Sequence, residues 1–216
     1  YVGLELLALC LYTMVALRID STAASEAAMK YFVLGALASG ILLYGMSLLY
    51  GLTGTLHIDE LSVSIARYEG SMLPRTMALI LVLVGLLFKM GAVPFHMWVP
   101  DVYEGSPTSS TVYLATAPKL AGFAIILRLL ADGLESLATE WQGMLVVVSI
   151  ASLALGNIIA IAQRNIKRML AYSAIAHVGF FLLGILAGEV PGYGSAMAYI
   201  LIYAVVTSGA FGVILV

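Results

Sequence analysis

Charge is the scarcest commodity in this sequence. Only 10% of the 216 residues are Asp, Glu, Lys or Arg, and 62% are hydrophobic, whereas soluble domains carry about 25% charged and about 45–50% apolar residues. So little charge cannot cover a water-soluble fold of this size, and the chain reads as an integral membrane protein. Ten basic residues against twelve acidic ones, net −2, leave no basic face for nucleic acid. The single cysteine, Cys10, excludes a disulfide framework, a zinc ribbon or an iron–sulfur cluster carried by this chain. Alternation with period two is also missing, which excludes a transmembrane barrel. The sequence starts at Tyr1 rather than Met and begins and ends inside apolar runs, so it reads as a piece of a longer polypeptide in which no signal peptide can be judged.

What is present is a series of long apolar runs rich in Leu, Ala, Ile, Met and Gly. A spanning helix needs about 20 mostly apolar residues. Seven stretches approach that length: 1–17, 28–50, 77–98, 108–130, 141–163, 169–188 and 195–216. The expected fold class is therefore an all-α polytopic bundle. Within the connection 51–76, Ile58, Leu61 and Ile65 lie at helical spacing behind Asp59 as a cap, which predicts a short interfacial helix. Ser106 and Pro107 read as a cap and first helical residue of the fourth span.

Basic residues orient the bundle. Arg164, Lys167 and Arg168 fill one short loop and Arg18 and Lys30 flank another, while 131–140 and 188–194 hold Asp132, Glu135, Glu140 and Glu189 without Lys or Arg. Alternation of seven spans puts both basic loops on one side, assigned here to the cytoplasm. Segments two and seven also echo each other. Ala28-Met29-Lys30-Tyr31 followed by Ser39-Gly40 resembles Ala196-Met197-Ala198-Tyr199 followed by Ser208-Gly209, with the spacing off by one. The loop count runs these two helices in opposite directions, which fits an inverted repeat; the competing explanation is a shared apolar vocabulary.

Ionisable groups at membrane depth cost about 2.5–3.5 kcal/mol each on insertion scales, so they mark function by default. Lys89 sits in Leu86-Leu87-Phe88-Lys89-Met90, five residues before Pro94; Lys119 follows Pro118 midway along its span; His177 lies midway along 169–188; and Glu5 is flanked by leucines. Pro94 with Gly91 predicts a broken helix near Lys89–Pro94, and Pro118 is expected to loosen the turn holding Lys119. Burial lowers a lysine pKa by up to about 3–5 units, a nearby carboxylate raises it again, and moving that carboxylate switches the lysine between holding and releasing its proton. Glu5 with Lys89 has the makings of such a switch, with Lys119 and His177 passing protons onward through water. The competing explanations are lysines snorkelling to an interface, a His177 that merely bonds a neighbouring hydroxyl, and a Glu5 near the surface. His96 is a candidate helix-end cap, His57 a loop residue, and haem ligation by His96 and His177 lacks a supporting motif.

The run from Phe88-Lys89-Met90-Gly91 through Pro94-Phe95-His96-Met97-Trp98-Val99-Pro100-Asp101-Val102-Tyr103-Glu104-Gly105 to Ala117-Pro118-Lys119 closely resembles the antiporter-like N-subunit family of NADH–quinone oxidoreductase, respiratory complex I. Asn165-Ile166-Lys167-Arg168-Met169 through His177-Val178-Gly179 and Glu26 through Phe32 resemble the same family. The resemblance implies two inverted five-helix repeats among about fourteen helices, each with a broken helix. Residues 1–130 would be most of the first repeat, a proton-translocating half, and 141–216 the truncated start of the second. It further implies Lys89 as the central lysine, Glu5 as its paired glutamate, Lys119 as the connecting lysine and His177 as a polar position of the second half. The implied activity is proton translocation in a multi-pass subunit of the bacterial inner membrane. Its partners would be the other membrane subunits and the lipid bilayer. No cofactor is expected in this chain; NADH, FMN, iron–sulfur clusters and quinone belong to the rest of the complex. A cation/proton antiporter subunit and a non-catalytic membrane scaffold are the alternatives.

Overall fold

Each of the seven apolar segments contains a helix in the computed structural model of the chain, which describes residues 1–215. In chain order the helices are α1 (Val2–Val15), α2 (Thr22–Thr53), α3 (Ile58–Ala66), α4 (Met72–Met90), α5 (Trp98–Gly105), α6 (Thr108–Arg128), α7 (Ala138–Ile161), α8 (Ile166–Leu186) and α9 (Val190–Leu215). A π turn at Leu129–Gly133 and a 3-10 turn at Glu135–Leu137 connect α6 to α7. Six of the helices are long and apolar enough to cross a membrane, and α1, with 14 residues, is shorter than a full span. Large apolar side chains such as Val147, Ile158, Val205 and Val213 are exposed on the outer faces of α7 and α9, as expected where lipid is the solvent.

Small residues set how closely the helices approach. On α2 and α4, Gly45 lies against Val82 and Gly85 against Leu42. On α7 and α8, Gly156 meets the backbone of Ala176, Gly179 meets Leu153, and the Ser149 hydroxyl donates to the Gly179 carbonyl at 2.8 Å.

The expected break after Lys89 is present. Gly91, at φ +74°, takes the left-handed conformation that closes α4, and its N–H returns to carbonyls of the last turn. Residues 91–97 then cross as irregular chain, with a cis Val93–Pro94 peptide, before α5 resumes. Two bonds compensate the unwound backbone: Val93 N–H donates to Ser152 Oγ on α7 (3.0 Å) and Trp98 Nε1 to the Phe88 carbonyl (3.0 Å).

Five local expectations are corrected. The segment read as 77–98 starts earlier, at Met72 capped by the Ser71 hydroxyl, and ends at Met90. Helix α3 forms, but His57 occupies its N-cap and Asp59 falls in the first turn, where its charge faces the positive end of the helix dipole. Pro107 is the N-cap of α6, while Ser106 closes α5. Pro118 leaves α6 continuous from Thr108 to Arg128 rather than unwinding it. His96 caps nothing with its ring; α5 starts at an N-cap, Met97, that makes no side-chain cap bond.

The two basic loops lie at one end of the bundle, tied together by ion pairs. Asp101 on α5 accepts from Lys30 of α2 (2.8 Å) and from Arg168 of α8 (2.7 Å), and Glu104 accepts from Arg168 (2.9 Å) and from Asn165 (3.0 Å). Helices α2 and α8 thus start at this basic end, and α9 returns toward it. The opposed directions expected for segments two and seven follow.

Candidate proton-transfer site

Helix α4 carries Lys89 in its last turn, next to the break. From there its ammonium donates to Glu5 Oε1 of α1 at 2.9 Å and to Ser39 Oγ of α2 at 3.4 Å, and Ser39 donates to the same Glu5 oxygen at 2.7 Å. Lysine, carboxylate and hydroxyl close a triangle contributed by three helices. The pair is largely but not fully enclosed, with side-chain exposures of 15% for Lys89 and 23% for Glu5. Glu5 therefore lies at depth, and Lys89 reaches a partner inside the bundle instead of snorkelling.

Lys119 has different surroundings. It is 2% exposed and projects from α6 toward α8 and α9. Its ammonium donates to the Ala174 carbonyl at 3.1 Å and lies 5.6 Å from the centre of the Tyr203 ring, a cation–π contact. Among the described residues no carboxylate forms an ion pair with it. The same Tyr203 ring lies 5.0 Å from His177, whose Nδ1 shares a 2.7 Å hydrogen bond with the Tyr199 hydroxyl. Tyr203 thereby brings Lys119 and His177 into one cluster, although no hydrogen bond joins the two directly.

On the Lys89 side of α6 lies a cavity of about 30 Å³ bordered by Leu4, Leu7, Lys89, Pro118 and Gly122. That is room for about one water. Pro118 and Gly122 turn toward Lys89 while Lys119, on the same turns of α6, points the other way.

At the basic end, burial raises the Asp101 carboxyl's pKa, but hydrogen bonds from Lys30 and Arg168 outweigh it and hold the group below the usual carboxylate range. Lys167 donates to the carbonyls of Glu104 (3.0 Å) and Ser106 (2.6 Å), satisfying the C-terminal end of α5. No group of three or more His, Cys, Asp or Glu side chains converges to hold a metal ion among the described residues.

The structure thus pairs Glu5 with Lys89 and gathers Lys119 and His177 around Tyr203, and it brings to these clusters three residues that the sequence did not single out for this chemistry: Ser39, Tyr199 and Tyr203. Ser39 and Tyr199 fall within the echo between segments two and seven, and Tyr203 does not. Ser39 lies eight residues after Tyr31, and eight residues after Tyr199 comes Thr207, which is buried, whereas the Ser208 hydroxyl turns back to the Ala204 carbonyl of its own helix. Aligned on the tyrosines, Ser39 faces Thr207, while the Ser-Gly pair itself stays one residue out of register.

Residues 1–216 match the model of the transmembrane family described as NADH:quinone oxidoreductase/Mrp antiporter. NADH-quinone oxidoreductase subunit N of Thioalkalivibrio sulfidiphilus is 63% identical over 216 residues, and that of Thiobacillus denitrificans 57% over 215. Each alignment covers the whole of this chain and 45% and 44% of the relative, so the chain spans somewhat under half their length. Among solved structures, a chain of respiratory complex I from Thermus thermophilus with bound aureothin superposes at TM-score 0.81 with 40% identity, covering 99% of this chain and 45% of that one. A chain of the Mrp complex from Dietzia superposes at 0.86 with 26% identity, covering 97% and 39%.

Proposed function

The chain belongs to the NADH:quinone oxidoreductase/Mrp antiporter transmembrane family, and on that premise we propose that it is part of a multi-pass subunit N of a bacterial NADH–quinone oxidoreductase, carrying protons across the inner membrane. Residues 1–130 would form most of one inverted repeat and 141–216 the start of the next. Electron transfer from NADH to quinone, through FMN and iron–sulfur clusters, would take place elsewhere in the complex, with the other membrane subunits as partners.

The observation that carries this reading is the Glu5–Lys89–Ser39 triangle beside a helix break. A carboxylate at 2.9 Å stabilises the protonated lysine; drawing the two apart removes that stabilisation in a low-dielectric setting and favours release of the proton. The hydroxyl of Ser39 can accept from the ammonium while donating to the carboxylate, so it bridges the pair. Lys119 and His177, joined by Tyr203, supply the next proton-accepting groups. The cavity of about 30 Å³ offers space for a water on the Lys89 side of α6.

The test is Lys89→Met in the full-length subunit within its assembled complex, read by NADH-driven acidification of inverted membrane vesicles. Acidification is expected to fall by on the order of tenfold or more, since a group that accepts and donates the proton contributes about 10²–10⁴ in rate, while the complex still assembles. Undiminished acidification overturns the reading, and loss of assembly favours a scaffold role for the ion pair. The superposition on the Mrp chain supports one other reading, a cation/proton antiporter subunit. That reading calls for sodium-dependent proton exchange in the absence of NADH.

A further inference from the structure

A backbone N–H stranded in a helix break needs an acceptor from protein, since lipid offers none. In the break after Lys89, the Gly91 and Ala92 N–H groups return to the Phe88 and Leu87 carbonyls at 2.9 and 3.0 Å. Trp98 Nε1 donates to the same Phe88 carbonyl. The bend and the last turn of α4, which holds Lys89, are therefore one hydrogen-bonded unit. The next N–H is that of Val93, and Pro94 after it has none. Of these three successive donors only Val93 leaves the unit, reaching Ser152 Oγ of α7 at 3.0 Å, and both residues are buried.

Ser152 does not behave like most hydroxyls in these helices. Thr53, Thr116, Ser195 and Ser208 each turn back to the carbonyl four residues earlier in their own helix. Ser152 instead serves another element. At the far end of α4, Arg75 pairs with Glu140 in the first turn of α7 at 3.4 Å, so α7 holds α4 at its start and again just past its end.

We propose that Ser152 is a positioning residue for the Lys89 site: by taking the Val93 N–H it fixes the bend against α7, and so sets where the last turn of α4 presents Lys89 to Glu5 and Ser39. Without this acceptor the Val93 N–H is a buried orphan, and the bend moves toward another acceptor with the last turn attached to it. The contact of Lys89 with Ser39, at 3.4 Å, is already near the limit of a hydrogen bond, so a small shift of the turn opens the triangle there first. The consequence for transport rests on the proposed proton-carrying role of Lys89; the placement of Lys89 does not.

The test keeps the two apart. In the structure of the assembled complex carrying Ser152→Ala in the full-length subunit, the Lys89–Ser39 contact is expected to open beyond hydrogen-bonding distance. Ser149→Ala is the control. It removes an equally buried hydroxyl of α7 that bonds the Gly179 carbonyl of α8 rather than the bend, and the triangle is expected to stay closed. A closed triangle in Ser152→Ala, or the same opening in both variants, overturns the placement. Ser152→Cys fills nearly the same space with a poorer acceptor and reads the same contact if alanine disturbs assembly.

NADH-driven acidification by Ser152→Ala is expected to fall by about fivefold to tenfold, the size of one lost hydrogen bond, with assembly and NADH oxidation checked alongside. In a Glu5→Gln background the same substitution is expected to add little, because the pair it positions is already broken, whereas a serine that only packs α7 costs as much in either background. Equal losses in both backgrounds, or full acidification by Ser152→Ala while Lys89→Met fails, overturn the positioning role and leave the role of Lys89 standing. If Lys89→Met acidifies fully, the transport consequence falls with that role, and an opened triangle still assigns the placement of Lys89 to Ser152.

Discussion

Two lysines lie within the same bundle, and their surroundings differ in kind. Lys89 is answered by a full negative charge and a bridging hydroxyl, and its side chain retains some exposure. Lys119 is answered by a carbonyl dipole and an aromatic face, with almost no exposure. A charge pair responds to geometry, since its energy falls steeply with separation in a low dielectric. A charge held by dipoles alone responds to hydration. The two sites are therefore suited to different signals: movement of a helix for Lys89, and arrival of water or a proton for Lys119.

The largest effect that would break this comparison comes from neutralising one partner at each site. Glu5→Gln leaves the Lys89 charge with Ser39 alone. Removing one partner from a fully buried pair costs about 3–5 kcal/mol, and the residual exposure here lowers that to roughly 1–3 kcal/mol. Lys119→Met removes a charge that has no counter-ion, so thermal stability is expected to hold or rise. Thermal denaturation of the two variant complexes decides it; equal destabilisation would mean that Lys119 has a charged partner after all.

A smaller effect probes geometry. A methyl group on Gly85 would come to 2.5 Å from Leu42 Cβ and 3.0 Å from its Cα, pushing α2 and α4 apart at the level of Ser39 and Lys89. Gly85→Ala is expected to cost about 1–3 kcal/mol and to slow acidification, whereas Gly40→Ala, with nothing within 4 Å, should leave both within error. Parity between the two would show that helix separation does not govern the Lys89 site.

The smallest effect concerns the basic end that both sites share. Because the Asp101 carboxyl is held below the usual range, its folded-state pairing contributes fully above about pH 4 and is lost as pH falls through its depressed value. Asp101→Asn should lower thermal stability slightly at pH 7 and flatten the acid side of the stability profile. An unchanged profile would mean that Asp101 does not titrate with folding.

The class of the fold and the four ionisable positions were legible because each is expensive in lipid: long apolar runs and lone charges stand out against so uniform a background. Pro94 and Gly91 likewise announced the break. Pro118 misled, since its ring can be accommodated when the carbonyl it leaves unpaired is sheltered inside a bundle. Ser39 could be seen only through its place in the echo of segments two and seven, and Tyr203 was not singled out at all, because hydroxyl residues are common in membrane helices and only the packing shows which are buried. The cap of α6 was misplaced by one residue because Ser106 had a competing task, ending α5 and bonding Thr111.

The broken helix is fastened at two points. At its bend, Val93 is bonded to Ser152 of α7, and at its far end Asp101 is clasped by α2 and α8. Between these fixings lies the irregular stretch 91–97, with Lys89 just before it. A shift of α7 would reach the bend through the Val93–Ser152 bond, four residues along the chain from Lys89. Through Ser152, α7, which carries no ionisable group at depth, is thus tied directly to the bend that follows Lys89.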